Sequence, residues 1–389
     1  MKDVKIVVGA NYGDEGKGLL TRYFSLEAKK SGMNPIVVFH NGTAQRGHTV
    51  DYNPMFRHIY HHFGSGTGDG IPTFFADTFW VHPMEYVREY KELRSKGIQP
   101  PVSFCDPDAR VVTPFDMLVD HATEAWIEYR FGQREFGSCG LGTWCATDRF
   151  PKATFTISDF KEHINSMRIE CMLELACDAC VEQLIKRGVE IDKLKDFKDF
   201  FNVSSGRKLF AIKHFIYDLL IFFENTKLVS FNELYEGDEF NSFVFENGQG
   251  LGLDKNNGSE WRTTSSTGIF NPACMLSGRE DFNAEVCYVT RSYLTRHGFG
   301  SLEEETDRKE INPTINDRTN VTNDFQGALR FGYLESKEQA KRIDKDWSIV
   351  KDNSRFRKTM AITHCNEYED TNKVAEYTSN NPYCVIKRD

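Results

Sequence analysis

Residues 7–18 read "VVGANYGDEGKG" and join a strand-like run to a helix-like one. The glycines and Lys17 are typical of a phosphate-binding loop, in which backbone amides surround the phosphates. A Walker loop has Ser or Thr after the lysine to hold Mg²⁺, whereas here Gly18 follows Lys17. The loop carries Asp14 and Glu15 instead. It therefore predicts a phosphate site whose chemistry uses a carboxylate.

The segments around this loop predict an α/β fold. "VKIVVGA" (4–10) and "NPIVVFH" (34–40) have the pattern of buried strands, and "GLLTRYFSLEAKKSG" (18–32) between them has a helical pattern. This order indicates a mainly parallel central sheet with flanking helices. Ligands of such sheets lie at the carboxyl ends of the strands, where the glycine loops fall.

The middle of the chain, from about 155 to 240, has helical periodicity, and strand patterns return at "FVFENGQGLGLD" (243–254) and "AEVCYVTRSYLTRHGFGS" (284–301). We therefore expect one domain over residues 1–389 with a helical insertion at about 155–240.

Composition indicates a globular protein outside the membrane. The net charge is -9, with 27% charged and 40% hydrophobic residues, which argues against a protein that coats nucleic acid. No apolar run approaches the roughly 20 residues that span a bilayer, and "MKDVKIVVGA" lacks a signal-peptide pattern. A cytoplasmic location is expected.

Among ten cysteines, Cys177 and Cys180 form one CxxC. A single CxxC is a weak signal for zinc, and the simpler interpretation is that both cysteines are core residues.

Four glycine-bearing loops follow apolar strands, at 9–18, 41–49, 137–143 and 247–252. One such loop is weak support for a site, since glycine is often only a turn residue. Together they bring Asp, Lys, His, Ser, Gln and Thr to strand ends, which predicts a phosphate-rich site.

These loops resemble the signatures of the adenylosuccinate synthetase family. "GANYGDEGKG" (9–18) is similar to its "GxQWGDEGKGK", and "NGTAQRGHTV" (41–50) to its "GGxNAGHTV". "GSCGLGTW" (137–144), "FENGQGLGLD" (245–254) and "TRHGFGS" (295–301) resemble "GTTGRGIGP", "FEGAQGxxLD" and "TRVGxGP". The likeness weakens at "ITHCNEYED" (362–370) and "YTSNNPY" (377–383), but it implies that family's fold, which is similar to that of P-loop NTPases.

The resemblance also implies a reaction. The family deprotonates N1 of a 6-oxopurine nucleotide, transfers a γ-phosphoryl group to O6, and lets the amine of L-aspartate displace phosphate at C6. It assigns Asp14 as the base and His48 as the general acid, with Gln249 beside C6 of the base. Asp14 and the carbonyl of Gly47 would hold Mg²⁺, one ion or two. A homodimer with a shared site is expected.

Substrate residues follow by resemblance. The triphosphate would bind at Gly13, Glu15, Gly16, Lys17, Gly18, Thr49, Asn366, Ser379, Asn381 and Pro382. The purine monophosphate would bind at Asn11, Gln45, Arg46, Ser138, Cys139, Arg149, Gln249 and Thr264. L-Aspartate would bind at Thr322, Asn323, Gln326 and Arg330. Arg149 corresponds to an arginine that the neighbouring subunit supplies.

Three departures from the family concern specificity. Asn366 stands where the family reads guanine of GTP with an aspartate; a carboxamide both donates and accepts, which suits adenine of ATP or dATP. The aspartate loop, arginine-dense in the family, keeps Arg330 here, with Arg318 as a second candidate. Leu141 replaces an arginine near the bound nucleotide.

These changes resemble a phage branch of the family that acts on dGMP, for genomes in which 2-aminoadenine replaces adenine. A phage enzyme would work in the host cytoplasm. Two alternatives stay open: ordinary adenylosuccinate synthesis from IMP, and an inactive nucleotide-binding regulator. No direct contact with nucleic acid or membrane is expected.

Overall fold

The computed structural model describes residues 1–132, 137–149, 152–201, 206–257, 266–322, 325–368 and 375–388. Its strands are β1 (Lys2–Gly9), β2 (Pro35–Phe39), β3 (His48–Asn53), β4 (Phe56–Tyr60), β5 (Thr73–Phe75), β6 (Trp80–Val81), β7 (Ser103–Cys105), β8 (Arg110–Val111), β9 (Thr226–Leu228), β10 (Ser242–Glu246), β11 (Phe282–Arg291), β12 (Leu294–Arg296), β13 (Glu305–Thr306), β14 (Arg330–Gly332), β15 (Phe356–Thr363), β16 (Tyr377–Asn381) and β17 (Cys384–Lys387). Its helices are α1 (Lys17–Lys30), α2 (Pro83–Ser95), α3 (Pro114–Phe131), α4 (Thr143–Arg149), α5 (Ile157–His163), α6 (Arg168–Lys186), α7 (Lys195–Phe201), α8 (Gly206–Glu224), α9 (Phe231–Glu236), α10 (Phe270–Met275), α11 (Arg308–Ile311) and α12 (Ser336–Trp347).

The central sheet is mainly parallel, as the strand-loop-helix-strand pattern predicts. Within the described ranges it has ten strands in the order β17-β16-β15-β11-β1-β10-β2-β5-β7-β9. Every neighbouring pair is parallel except β16 and β17. All residues of β2 and β10 are buried, because helices cover both faces of a parallel sheet. The expected fold class is confirmed.

The core lies on both faces of this sheet. Successive side chains of a strand point to opposite faces, and in β2 Val37 and Phe39 join one buried cluster while Ile36 and Val38 join another. The first cluster extends to α2, α3, α6 and α8, and the second to α9 and α12. The sheet is thus fixed from both sides, and its carboxyl edge is held rigid.

The stretch predicted as a helical insertion contains α5 to α9 and also β9, which pairs with β7 at one end of the sheet. Cys177 and Cys180 are buried, free thiols on α6. Burial raises the pKa of both, and no group of three metal-ligating side chains occurs in the part of the chain that is described. None of the helices described has the length and apolarity to cross a bilayer.

Candidate active site

The loop between β1 and α1 is built around Glu15. Its buried carboxylate accepts hydrogen bonds of 2.9 Å from the backbone amides of Asn11 and Gly13. Gly13 and Gly16 have φ of 111° and 88°, in the left-handed region that glycine adopts without strain. The Lys17 ammonium lies 2.5 Å from the Gly13 carbonyl. Glu15 therefore supports the loop, and Lys17 lies folded back against it.

Two cavities open at the carboxyl edge of the sheet. The first, of about 360 Å³, is lined by these predicted residues: Gly13, Asp14, Gln45, Arg46, Gly47, His48, Ser138, Cys139, Gln249 and Gln326. The second, of about 300 Å³, is lined by these: Gly13, Asp14, Gly16, Lys17, Gly18, Gly47, His48, Thr49, Asn366, Ser379, Asn381 and Pro382. Most of the residues expected to bind the monophosphate thus face the first cavity and most of those expected to bind the triphosphate face the second, whereas Glu15 lines neither.

The two cavities share a wall. Its six residues are Gly13, Asp14, Gly47, His48, Thr319 and Asn320. The expected base and the expected acid both lie on this wall, between the spaces for two ligands. A group held in either cavity is therefore adjacent to Asp14 and His48.

His48 is oriented by a carboxylate that the sequence reading did not single out. Its Nδ1 lies 2.5 Å from Oε1 of Glu246, the buried last residue of β10. Glu246 also accepts from the backbone amide of Ser65 at 3.1 Å and from the Ser65 hydroxyl. Its position directly before the glycine loop at 247–252 is the signal that could have indicated it.

Protonation of this pair follows from its surroundings. Burial lowers the pKa of His48, against the opposing effect of Glu246. Burial acts to raise the pKa of Glu246, but His48 and Ser65 hold it below its ordinary value. The pair is thus a neutral imidazole with its proton on Nδ1, donated to a carboxylate, and Nε2 is left without a proton.

Arg46 and Gln45 line the first cavity with most of their polar atoms already engaged. The Arg46 guanidinium is buried 3.9 Å from the centre of the Phe39 ring and donates to the carbonyls of Glu246, at 2.9 Å, and Asn41. Burial lowers its pKa to about 10. Gln45 Oε1 accepts from the Thr43 amide at 2.6 Å. Both side chains hold the loop after β2 in place.

A second loop, 317–320, is bonded to the β1–α1 loop, and Arg318 is the one residue of it that the sequence analysis indicates. Arg291 donates to the backbone carbonyl of Asp14 and pairs with Asp317 at 2.9 Å. Asp317 in turn accepts from the amides of Thr319, at 2.9 Å, and Asn320, at 3.0 Å. An aspartate that closes a turn on the residue two positions later is the sequence signal for this loop.

Three expectations for the purine and aspartate sites require correction. Arg149 is fully buried, with its Nε and a terminal nitrogen each 2.9 Å from the Asp116 carboxylate, so it cannot reach a neighbouring subunit. The Asn11 side chain bonds Thr290 and Arg342 at 2.9 and 2.8 Å and lines neither cavity.

The third correction concerns Arg330, which the sequence analysis expects to bind L-aspartate. It pairs with Glu305, at 2.8 Å from Nε, and donates to the carbonyls of Gly298 and Gly300. It lines neither cavity, so its guanidinium group binds other parts of the protein and not a ligand. Arg318 does line the second cavity. Thr322 is exposed, and Thr264 and Asn323 lie outside the described residues.

The donor set on the shared wall suits Mg²⁺. This ion prefers oxygen ligands and is held by one or two carboxylates together with substrate phosphates. Asp14 supplies a half-buried carboxylate and Gly47 a backbone carbonyl on the same wall. The residues present therefore fit the metal that the resemblance implies.

Comparison with known proteins identifies the family of the chain. The sequence model described as adenylosuccinate synthetase matches residues 6–381. The adenylosuccinate synthetases of Saccharopolyspora erythraea and Acetivibrio thermocellus are 25% and 26% identical over 304 and 305 residues, which is 77% of this chain. The match spans about 65% of the length of those relatives.

Two solved structures share the fold. One is the fully ligated adenylosuccinate synthetase of Plasmodium falciparum, with a TM-score of 0.62 and 18% identity over 93% of this chain and 77% of that one. The other is the succinoaminodeoxyadenylate synthetase (PurZ) of cyanophage S-2L bound to dGMP and dATP, with a TM-score of 0.63 and 13% identity over 100% of this chain and 95% of that one. With the family match covering nearly the whole sequence, the chain belongs to the adenylosuccinate synthetase family.

Proposed function

We propose that this chain is a ligase that joins L-aspartate to C6 of dGMP, with ATP or dATP as phosphoryl donor. The products are N6-succino-2-amino-2'-deoxyadenylate, the nucleoside diphosphate and phosphate, for the synthesis of DNA containing 2-aminoadenine. The observation that carries the proposal is the wall shared by two cavities, with Asp14 and His48 on it. A phosphoryl transfer between two nucleotides needs two adjacent sites, and removal of the N1 proton needs a base next to the purine.

In the first step Asp14 takes the N1 proton of the purine, so that electron density moves onto O6. O6 then forms a bond to the γ-phosphorus, and the bond to the diphosphate breaks. Lys17, on the second cavity, would stabilise the charge on the phosphates. Mg²⁺ held by Asp14 and the Gly47 carbonyl would neutralise part of the same charge.

His48 must be protonated to donate toward O6 and the transferring phosphoryl group, because its Nδ1 proton is directed to Glu246. Anionic phosphates beside Nε2 favour the imidazolium, as an opposite charge raises a histidine pKa. In the second step the amine of aspartate forms the bond to C6 and phosphate leaves with O6.

Choice of substrate rests on the departures from the family. Asn366 lies on the second cavity with Ser379, Asn381 and Pro382, where its carboxamide would accept from N6 of adenine and donate to N1. For the monophosphate, guanine differs from hypoxanthine by a 2-amino group, so the same catalytic residues serve both. The likeness to PurZ, a protein bound to dGMP and dATP, is consistent with this choice.

Ordinary adenylosuccinate synthesis from IMP is the second candidate, since the curated relatives carry that name. An inactive regulator is disfavoured because Asp14, Lys17, His48 and Gln249 all lie on cavity walls. A homodimer remains part of the proposal, but the buried Arg149 would not be the residue exchanged between subunits.

The test crosses dGMP, GMP, dIMP and IMP with ATP, dATP and GTP, in the presence of aspartate and Mg²⁺, and measures succinylated product by mass. We expect the highest kcat/KM with dGMP and an adenine donor. Asp14→Asn is the matched control and should lower turnover about 10²–10⁴-fold, as loss of a general base does. Preference for IMP with GTP would establish the second candidate, and binding without any turnover would establish the regulator.

A further inference from the structure

His297 is a polar residue on the first cavity that the proposed mechanism does not use. It follows β12 directly, and it stands where the family signature "TRVGxGP" has valine. His297 is one of the residues that line this cavity. Its Nδ1 is buried and, among the described residues, has no hydrogen-bond partner.

The backbone after His297 is bound by two arginines. Arg296 donates to the carbonyls of Phe299 and Ser301, each at 2.6 Å. Arg330 donates to the carbonyls of Gly298 and Gly300, at 3.1 and 2.7 Å. Two guanidinium groups thus bind the carbonyls of residues 298–301, the segment that directly follows the imidazole.

A buried polar atom without a partner is costly, by about 1–3 kcal/mol. Such atoms in native proteins need an explanation, and at a cavity wall the simplest one is a ligand. Two other side-chain acceptors on the first cavity already have a donor. Asp120 accepts from the Gly142 amide at 2.8 Å, and Gln45 Oε1 from the Thr43 amide at 2.6 Å.

Guanine and hypoxanthine nucleotides differ in one hydrogen-bonding group, the 2-amino group, which is a donor. A cavity that selects guanine needs an acceptor for it, and a neutral imidazole nitrogen accepts. Valine, with no polar atom, cannot. We propose that Nδ1 of His297 accepts a hydrogen bond from the 2-amino group of a guanine nucleotide, and so makes the first cavity selective for guanine over hypoxanthine. This rests on the assignment of the first cavity to the purine monophosphate.

The test measures equilibrium binding of dGMP, GMP, dIMP and IMP by calorimetry, which needs no turnover. His297→Val, the residue of the family, should weaken dGMP and GMP about tenfold, as loss of one such hydrogen bond does, and should change dIMP and IMP less than about threefold. His297→Asn places a carboxamide near the position of Nδ1 and should retain selectivity. His297→Gln places it near Nε2 and should behave like His297→Val.

Equal losses for all four nucleotides, or no loss for any, would overturn the proposal, as would a wild-type protein that binds hypoxanthine nucleotides as tightly as guanine nucleotides. The last result leaves the ligase function intact, since product formation from IMP would still be measurable. Thermal unfolding of each variant separates loss of affinity from loss of fold.

Discussion

The pKa of His48 depends on Glu246, a residue 198 positions away along the chain. Burial lowers the pKa of the imidazole, and the carboxylate opposes that effect. Glu246→Gln keeps the size of the side chain but removes its charge, so the pKa of His48 should fall further. Less imidazolium is then available at neutral pH, and we expect kcat to fall on the order of tenfold at pH 8 and less at pH 6.

The measurement is a profile of kcat against pH from 5.5 to 8.5 for the wild type and for Glu246→Gln. His48→Asn serves as the control, because Glu246→Gln should add little to its loss if both residues act as one unit. A lowered kcat with an unshifted profile would show that Glu246 only supports the fold of β10.

At this scale the sequence indicates which loop residues line the cavities, but not which side chains pair with each other. Asp14, Lys17, His48 and Gln249 could be located because loops after parallel strands converge on one edge. Arg149 and Arg330 were matched as ligand-binding arginines, yet Asp116 and Glu305, at 33 and 25 positions from them, bind their guanidinium groups. A motif shows where an arginine is but not which carboxylate the fold brings to it.

Helices α3 and α4 are joined by the ion pair of Arg149 and Asp116. Both side chains are fully buried, and Asp116 also accepts from the amide and hydroxyl of Thr113, the residue that caps α3. Arg149→Met would leave a buried carboxylate without its cation. We expect a loss of about 3–5 kcal/mol in the free energy of unfolding, as for other broken buried pairs.

Urea unfolding provides this measurement, and the exposed pair of Lys152 and Glu182 provides a matched control. Lys152→Met should leave the free energy of unfolding nearly unchanged, since solvent screens such pairs. The double variant Arg149→Met with Asp116→Asn should recover part of the loss. Similar costs for Arg149→Met and Lys152→Met would contradict the assignment of a buried structural pair.

Elements of regular length were predictable, and short ones were not. The buried strand patterns of β1, β2 and β10 and the helical patterns around α6 and α8 are visible in the sequence. Strand β9 has three residues inside a helical stretch. Periodicity needs more residues than that to be recognised, and it is pairing with β7 that makes this segment a strand.

The free energy of unfolding should begin to fall below about pH 6.5, which is a higher pH than that at which most carboxylates are protonated. Burial lowers the pKa of His40 to about 3 and of His82 to about 4, and that of His62 well below its ordinary value. The unfolded chain binds protons at these residues below about pH 6.5, whereas the folded chain does not. Stability therefore falls with pH below 6.5, by roughly 1.4 kcal/mol per pH unit for each such histidine.

Asp346 acts in the opposite direction. Burial raises its pKa to about 6, so the folded state binds its proton more tightly than the unfolded state and gains stability as pH falls through 6. Of these four groups, three lose stability in acid and one gains it, so their net effect is a loss. Urea midpoints at pH 7.5 and pH 5.0 check this sign.

His40→Gln removes one of these groups and should make the dependence of stability on pH shallower. A urea midpoint that rises between pH 7.5 and pH 5.0 would mean that these histidines are protonated in the folded state.

The wall between the two cavities has a thermodynamic consequence for any pair of ligands. Six residues belong to both spaces, so occupation of one cavity changes the surroundings that the other offers. Linkage makes this coupling reciprocal. If bound purine monophosphate raises the affinity for the triphosphate by some factor, bound triphosphate raises the affinity for the monophosphate by the same factor. The order in which the two nucleotides arrive then has no influence on the stability of the complex that contains both.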